Sequence, residues 1–472
     1  MGDLLFKIPP SQKVSADVWD TAYITGIEGI PWKCHYRVDG DQFSIGREID
    51  ESGKLNIVWP TETFGPVSLA TTSLRISNEP YSLIVELARG TVDRLRGQTA
   101  EWQRIGLRIP EDFFPLAERT LADFLQAVTG SANTDQQAAL SQRAIESALA
   151  ASVQLCDTYS NQALEARRNS EGRLSTLQGI QLGRHDISSV KKSLSGTFNL
   201  INVTPDLGSV ESQSGKSELA SFDEQVNWAQ REGKKICIGP LVDFRKGGLP
   251  KWMILLDEGF ESIQTAACKH AQACVDRFMG KAHIWNCLAG LNIPGDISWS
   301  DEETLRLAVS IIETVRQADQ RSPVLLTIDQ PWSEYLRKDD NGISPINFAD
   351  ALIRADLGLS GLALDLHFGQ PDFPYFRDPI ELSRLIDRWS MLGLPLLIQL
   401  SLPSSPNPEG KLQFTPETML NLLLSKPCVH AVTWKTILDS PQEDQQNGLW
   451  DSKGKPKPLL RNMADTRARF LH

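Results

Sequence analysis

Four aspartates stand at or just past the ends of apolar, strand-like runs: Asp206, Asp243, Asp329 and Asp365. Carboxyl groups placed this way can move protons or hold the hydroxyls of a polar substrate. Asp365 lies inside the apolar run GLALDLH, where burying an unpaired carboxylate is expensive. His367 follows two residues later, so the two side chains point to the same face of a strand. A His–Asp pair there can act as acid and base or bind a sugar hydroxyl. It can equally be a structural ion pair. Asp329 closes VLLTI and precedes Gln330-Pro331-Trp332, with Trp332 and Glu334 on the following loop. Asp329 and Asp365, from neighbouring runs, form a candidate carboxylate pair. Asp365, His367 and Asp329 are therefore the candidate catalytic residues.

The elements that must position these groups are legible as three stretches. Residues 1–79 read as a small β-sandwich-like domain of short apolar runs separated by turns. Asp39-Gly40 and Ser52-Gly53 are hairpin signals. Trp19, Trp32 and Trp59 are either core aromatics or a platform for stacking sugar rings. Residues 80–172 switch to a helical pattern, with helices expected over 81–96, 112–127 and 134–170. The last of these lacks Gly and Pro and carries apolar residues at helical spacing, with Thr134 as its expected cap. It is expected to pack on a neighbouring domain, and a homo-oligomer through this helical region is the other expectation.

Residues 173–472 alternate strands with amphipathic segments. Eight strands are predicted, at 177–182, 198–203, 236–241, 282–288, 324–328, 361–367, 395–400 and 429–434. Eight strand–helix units fit an α/β fold, a (β/α)8 TIM barrel preceded by the small β domain and the helical segment. In such a barrel the carboxyl ends of the strands carry the chemistry. Trp285 reads as core. Phe373, Tyr375 and Phe376, stiffened by Pro371 and Pro374, read as an aromatic lip after the sixth strand.

Several of these segments resemble the barrel of family 10 glycoside hydrolases, the xylanase family, over roughly residues 174–465. Phe198-Asn199 with Thr204-Pro205-Asp206 resembles FN…TPEN, and Gly239–Phe244 resembles GHTLVW, with Leu249-Pro250-Lys251-Trp252 matching the LPxW that follows. Gly361–His367 resembles GIGLQSH, Trp434 matches a last-strand tryptophan, and Asp451 with Lys455–Pro458 resembles FD…PKP. The resemblance implies a barrel that acts on or binds a carbohydrate or glycoside. It places Trp434, Gln399, Asp206, Asp243 and Asn286 on the substrate-binding side, to which Trp332 and Tyr375 are added by their positions on loops that follow barrel strands.

The departures fall on the chemistry. The family's acid/base glutamate lies in WDVVNEA, and the same frame here runs Trp285-Asn286-Cys287-Leu288-Ala289-Gly290-Leu291, with Gly290 in its place. The nucleophile lies in ITELD, and Leu397–Ser401 puts Gln399 there. Retaining hydrolysis needs two carboxyl groups about 5 Å apart. Glycine and a neutral amide supply neither, so the family's usual mechanism does not carry over. Two readings stand: a carbohydrate-active protein with relocated carboxylates, and a catalytically inactive barrel used for binding or assembly.

Other classes are disfavoured. A net charge of −11 argues against nucleic acid as a partner. No run of about 18 apolar residues predicts a membrane span. The start MGDLLFKIPPSQK lacks a basic segment followed by an apolar core, so a cytoplasmic location is expected. The seven cysteines include no CxxC pair and read as buried thiols. No metal-ligand spacing and no glycine-rich phosphate loop is present, so no metal and no cofactor is expected.

Overall fold

The computed structural model describes residues 2–9, 14–130, 133–183, 191–211, 213, 218–255, 259–338, 342–369, 375–404, 414–440 and 446–472. Its largest part is a closed barrel of eight parallel strands. In order they are Leu177–Leu182, Leu200–Val203, Lys235–Ile238, Ile284–Asn286, Val324–Asp329, Gly361–His367, Leu396–Ser401 and Val429–Trp434, the last pairing with the first. These runs are apolar on both faces because parallel strands are buried on both, the bore on one side and helices on the other. The expected fold class therefore holds, strand by strand. The fourth strand is shorter than predicted. Its continuation Leu288–Ala289 pairs instead with Val242–Asp243, a two-residue ladder beyond the barrel proper.

The outer helices begin where the sequence marks them. Ser300 caps Asp301–Ala318, with Glu303 closing a reciprocal capping box. Ser344, Asp378 and Thr415 cap helices that each open on proline, whose missing N–H is harmless in a first turn. The final helix, Pro458–Phe470, returns the chain beside the start of the barrel, where the Leu174 amide donates to the Phe470 carbonyl at 2.8 Å. Among the described residues no helix is long and apolar enough to cross a membrane.

Two four-stranded sheets precede the barrel. One orders His35–Asp39, Gln42–Arg47, Gly2–Lys7 and Tyr81–Ser82. The strand Gly2–Lys7 was not among the expected runs, yet its alternation buries Leu4 and Phe6. Asp39-Gly40 does begin a hairpin, with Asp39 opposite Gln42 and Gly40 at φ +61°. Ser52-Gly53 does not: Gly53 bridges Leu74, and the strands flanking the pair lie in different sheets. Trp19 and Trp59 are buried in this core, Trp19 stacked on Phe43 and Trp59 donating to Gln142, so neither is a sugar platform. Arg47 sits over the Trp32 ring at 5.2 Å.

The other sheet orders Phe376–Arg377, Gly65–Ala70, Lys54–Thr61 and Tyr23–Thr25. Its edge strand Phe376–Arg377 comes from the barrel, after the sixth strand, and pairs in parallel with Val67 and Ser68. Helix Leu83–Arg104 lies on this sheet. A Cβ on Gly90 would stand 1.9 Å from the Ala70 carbonyl oxygen, so only glycine lets helix and strand approach this closely. The 38-residue helix Thr134–Glu171 is capped by Asn133, whose side chain accepts from the Gln136 amide, and not by Thr134. It packs on the two helices before it and on barrel helix Pro416–Ser425.

Candidate functional site

The fifth, sixth and seventh strands are in register at their carboxyl ends. Asp329 lies opposite Asp365, Asp365 opposite Gln399, and Gln399 opposite Thr433. One level of the barrel wall therefore carries two carboxylates and an amide side by side. His367, one pleat further out, lies opposite Ser401.

Arg245 reaches this level from the loop after the third strand. Its Nε and Nη2 fork onto Asp243 at 2.9 and 2.6 Å, the planar geometry that a guanidinium and a carboxylate share. Its Nη1 lies 2.7 Å from Asp365 Oδ2 and 3.5 Å from Asp329 Oδ1. One guanidinium thus ties together three of the four aspartates singled out above. Lys435, directly after the last strand, donates to Asp365 Oδ2 at 2.6 Å. His367 Nε2 stands 3.0 Å from Asp365 Oδ1 and 3.3 Å from Lys435 Nζ. That nitrogen can donate to the carboxylate or accept from the ammonium, but not both. The Oδ2 of Asp329 accepts from the Gly290 amide at 2.7 Å. The Asn292 side chain brackets the Asp329 backbone, donating to its carbonyl and accepting from its amide.

This setting drives the two carboxyls apart. Burial pushes Asp329 up to about 6, with Asp365 and Asp243 adding to the rise and Arg245 and Lys435 opposing it. Burial would also raise Asp365, but His367, Lys435 and Arg245 outweigh it and hold that group well below the usual carboxylate range. Two carboxyls whose environments separate them in this way can serve as acid and base. Access sets the limit here. The Asp365 side chain is 0% exposed and that of Asp329 5%, whereas Arg245 is 27% and His367 32% exposed. The groups a ligand meets first are the cation and the imidazole.

Gly290 is closed to any side chain. Its φ is +76°, and a Cβ there would lie 2.3 Å from the Arg245 amide nitrogen and 2.5 Å from its Cγ. Arg245 occupies the space into which a residue at 290 would project.

The other predicted residues divide. Asp243 belongs to the cluster. Asp206 does not: it caps the short helix Leu207–Val210 through the Ser209 amide at 2.8 Å. Trp434 is 1% exposed and its Nε1 donates to the Asn447 carbonyl, so it presents no face for a sugar to stack on. Gln399 and Asn286 are buried, with Asn286 donating to Thr327 at 2.8 Å. Trp285 is core, its Nε1 bonded to Asp319. Tyr375 is no open lip: it is buried, its hydroxyl donating to Glu334 at 2.8 Å. Phe376 is likewise buried, while Phe373, Pro371 and Pro374 lie outside the described residues. Trp332 has Arg377 over its ring at 4.6 Å, and Arg377 also pairs with Glu334 and Tyr23.

Sequence reasoning missed Arg245 and Lys435. The available signal was charge balance. A carboxylate inside an apolar strand needs a cation, and these two stand just past other strand ends. A cavity of about 690 Å³ is lined by Asn292, which bonds the Asp329 backbone, and by Trp299, Asp301, Glu302 and Tyr335 among others, though by none of the cluster's charged side chains. That volume suits a small organic ligand. Among the described residues no group of His, Cys, Asp and Glu could hold a metal.

Fold and site together define a (β/α)8 barrel with an ion-paired carboxylate cluster at its carboxyl-end mouth. Among solved structures the barrel is similar to native xylanase 10B from Thermotoga maritima, at 15% identity and a TM-score of 0.50, over 64% of this chain and 98% of that one. It is also similar to xylanase 10B from Thermotoga petrophila RKU-1 in complex with xylobiose, at 13% identity and a TM-score of 0.49, over 66% of this chain and 97% of that one. The barrel therefore has a fold like that of family 10 glycoside hydrolases. No family model matches the chain, and no curated protein does.

Proposed function

We propose that the barrel mouth binds a carbohydrate or glycoside and does not hydrolyse it by the two-glutamate retaining mechanism of family 10 enzymes. One observation carries this reading: Arg245 is held by Asp243, Asp329 and Asp365 where a reactive carboxyl pair would need to face the ligand. A nucleophilic carboxylate must reach an anomeric carbon. Asp365 is instead enclosed and neutralised. Arg245, His367 and the neighbouring cavity with Trp299 and Tyr335 supply donors and aromatic faces for sugar hydroxyls and rings. The three stretches 1–79, 80–172 and 173–472 are proposed as its structural units.

A second reading, a catalytically silent barrel used in assembly, is favoured by Phe376–Arg377. A barrel loop that could have formed a substrate lip completes the N-terminal sheet instead. A glycan array combined with a panel of chromogenic glycosides separates the readings, run on the wild type and on Asp365→Asn. Retained glycan with no release of chromophore supports binding alone. Turnover that disappears in Asp365→Asn returns the site to the enzymes. No retained glycan leaves the assembly reading.

A further inference from the structure

The second N-terminal sheet, helix Leu83–Arg104 and barrel helix Pro379–Ser390 meet around a cavity of about 250 Å³ outside the carboxylate cluster. Its lining carries Lys54, Arg94, Arg377, Arg384 and Arg388 against Asp93 and Glu381, a strong positive excess in an acidic protein. Two of the cations are already held from behind. Arg94 Nε pairs with Asp378 at 3.2 Å and its Nη1 with Glu381 at 3.3 Å, while Arg377 pairs with Glu334. Even so, Arg94 is 5% exposed and its Nη2 has no hydrogen-bond partner. A buried guanidinium N–H without an acceptor is destabilising, and a bound oxyanion would satisfy it.

Among the described residues no carboxylate pairs with Lys54, Arg384 or Arg388. Arg384 donates through Nε to Gln98 at 3.0 Å. Arg388 lies under the turn at Gly29, where a Cβ would come within 3.0 Å of its Nη1 and φ is +67°. Burial holds Arg388 below the ordinary arginine value, as expected for a desolvated cation opposed only by Glu28.

We propose that this junction binds a phosphate group, as inorganic phosphate or as a phosphomonoester. The donors converge from the sheet (Lys54), the N-terminal helix (Arg94) and the barrel helix (Arg384, Arg388). A tetrahedral oxyanion accepts from several directions at once, whereas a carboxylate offers two coplanar oxygens. Bound there, the group would bridge the N-terminal sheets to the barrel.

The test uses the full chain, with binding followed by calorimetry and thermal melting. Inorganic phosphate and glucose 6-phosphate are titrated at constant ionic strength against chloride and acetate. Phosphate is expected to bind and to raise Tm where chloride and acetate do not. Tighter binding of glucose 6-phosphate marks an ester as the ligand, and tighter binding of free phosphate marks the ion. Arg388→Gln is expected to lower affinity by about tenfold, the loss of one charge-assisted fork. Lys54→Gln, at an exposed position, is expected to lower it by about threefold and serves where Arg388→Gln does not fold. Acetate binding as well as phosphate, an effect of ionic strength alone, or unchanged phosphate affinity in the folded variants overturns the proposal.

Discussion

Arg245 and Asp365, 120 residues apart in the chain, meet at 2.7 Å between Nη1 and Oδ2 across the barrel mouth. The contact joins the loop after the third strand to the wall of the sixth. It also fixes the electrostatics of everything nearby, because the same guanidinium holds Asp243 and reaches Asp329.

Removing that guanidinium leaves two enclosed carboxyls with His367 and Lys435 as the groups that still offset their charge. Arg245→Met is expected to lower stability at pH 7 by about 3 kcal/mol, within the range for breaking an enclosed pair from one side. Urea unfolding measures it, and a loss below about 1 kcal/mol would show the cluster to be a solvated surface network. Adding Asp329→Asn to Arg245→Met should return part of the loss, since one uncompensated carboxylate is then gone.

The two carboxyls give opposite pH dependences. Asp329 has a folded value of about 6, above its unfolded value, so the folded state holds the extra proton. Its contribution favours folding at low pH and is lost as pH rises from about 4 through about 6. Asp365 is held below its unfolded value, so its contribution is present above about 4 and is lost on further acidification. Asp329→Asn should therefore be more stable relative to wild type at pH 7 than at pH 4.5, by about 2 kcal/mol. Parallel stability curves for the two proteins over that interval would exclude an elevated Asp329.

Gly290 leaves no room for a side chain, because Arg245 fills the space a Cβ would enter. Gly290→Ala is expected to lower stability by about 2–4 kcal/mol, combining an unfavourable positive φ with a collision against the Arg245 backbone. Gly290→Glu combined with Gln399→Glu is expected to release no chromophore from aryl xylosides. Hydrolysis by the double variant would show that the loop bearing Arg245 gives way readily.

The arrangement of the barrel was legible because its strands are local, continuous apolar runs. The predicted 177–182, 361–367 and 429–434 match the observed strands residue for residue. The hairpin at Asp39-Gly40 was legible for the same reason, a short-range turn preference. Gly2–Lys7 was missed because its apolar run, Leu4, Leu5 and Phe6, is too short to stand out. Phe376–Arg377 was missed because a two-residue strand has no period of its own. Its pairing with Val67 and Ser68 arises only when barrel and sheet are already side by side.

By itself the sequence determined a ring of eight strands, the placing of Asp365 and His367 on one face of the sixth, and the absence of a glutamate at 290 and at 399. The ring and the shared face follow from patterns with periods of two to four residues, whereas positions 290 and 399 stand out only through the resemblance to family 10 barrels. Only the tertiary structure decided that Arg245 and Lys435 neutralise Asp365, that Trp434 faces inward onto the Asn447 carbonyl, and that Tyr375 is fastened to Glu334. The physical reason is range. Hydrophobic periodicity is written in neighbouring residues, while a buried charge takes its partner from whichever chain segment folding brings within a few ångströms, here 70 and 120 positions away.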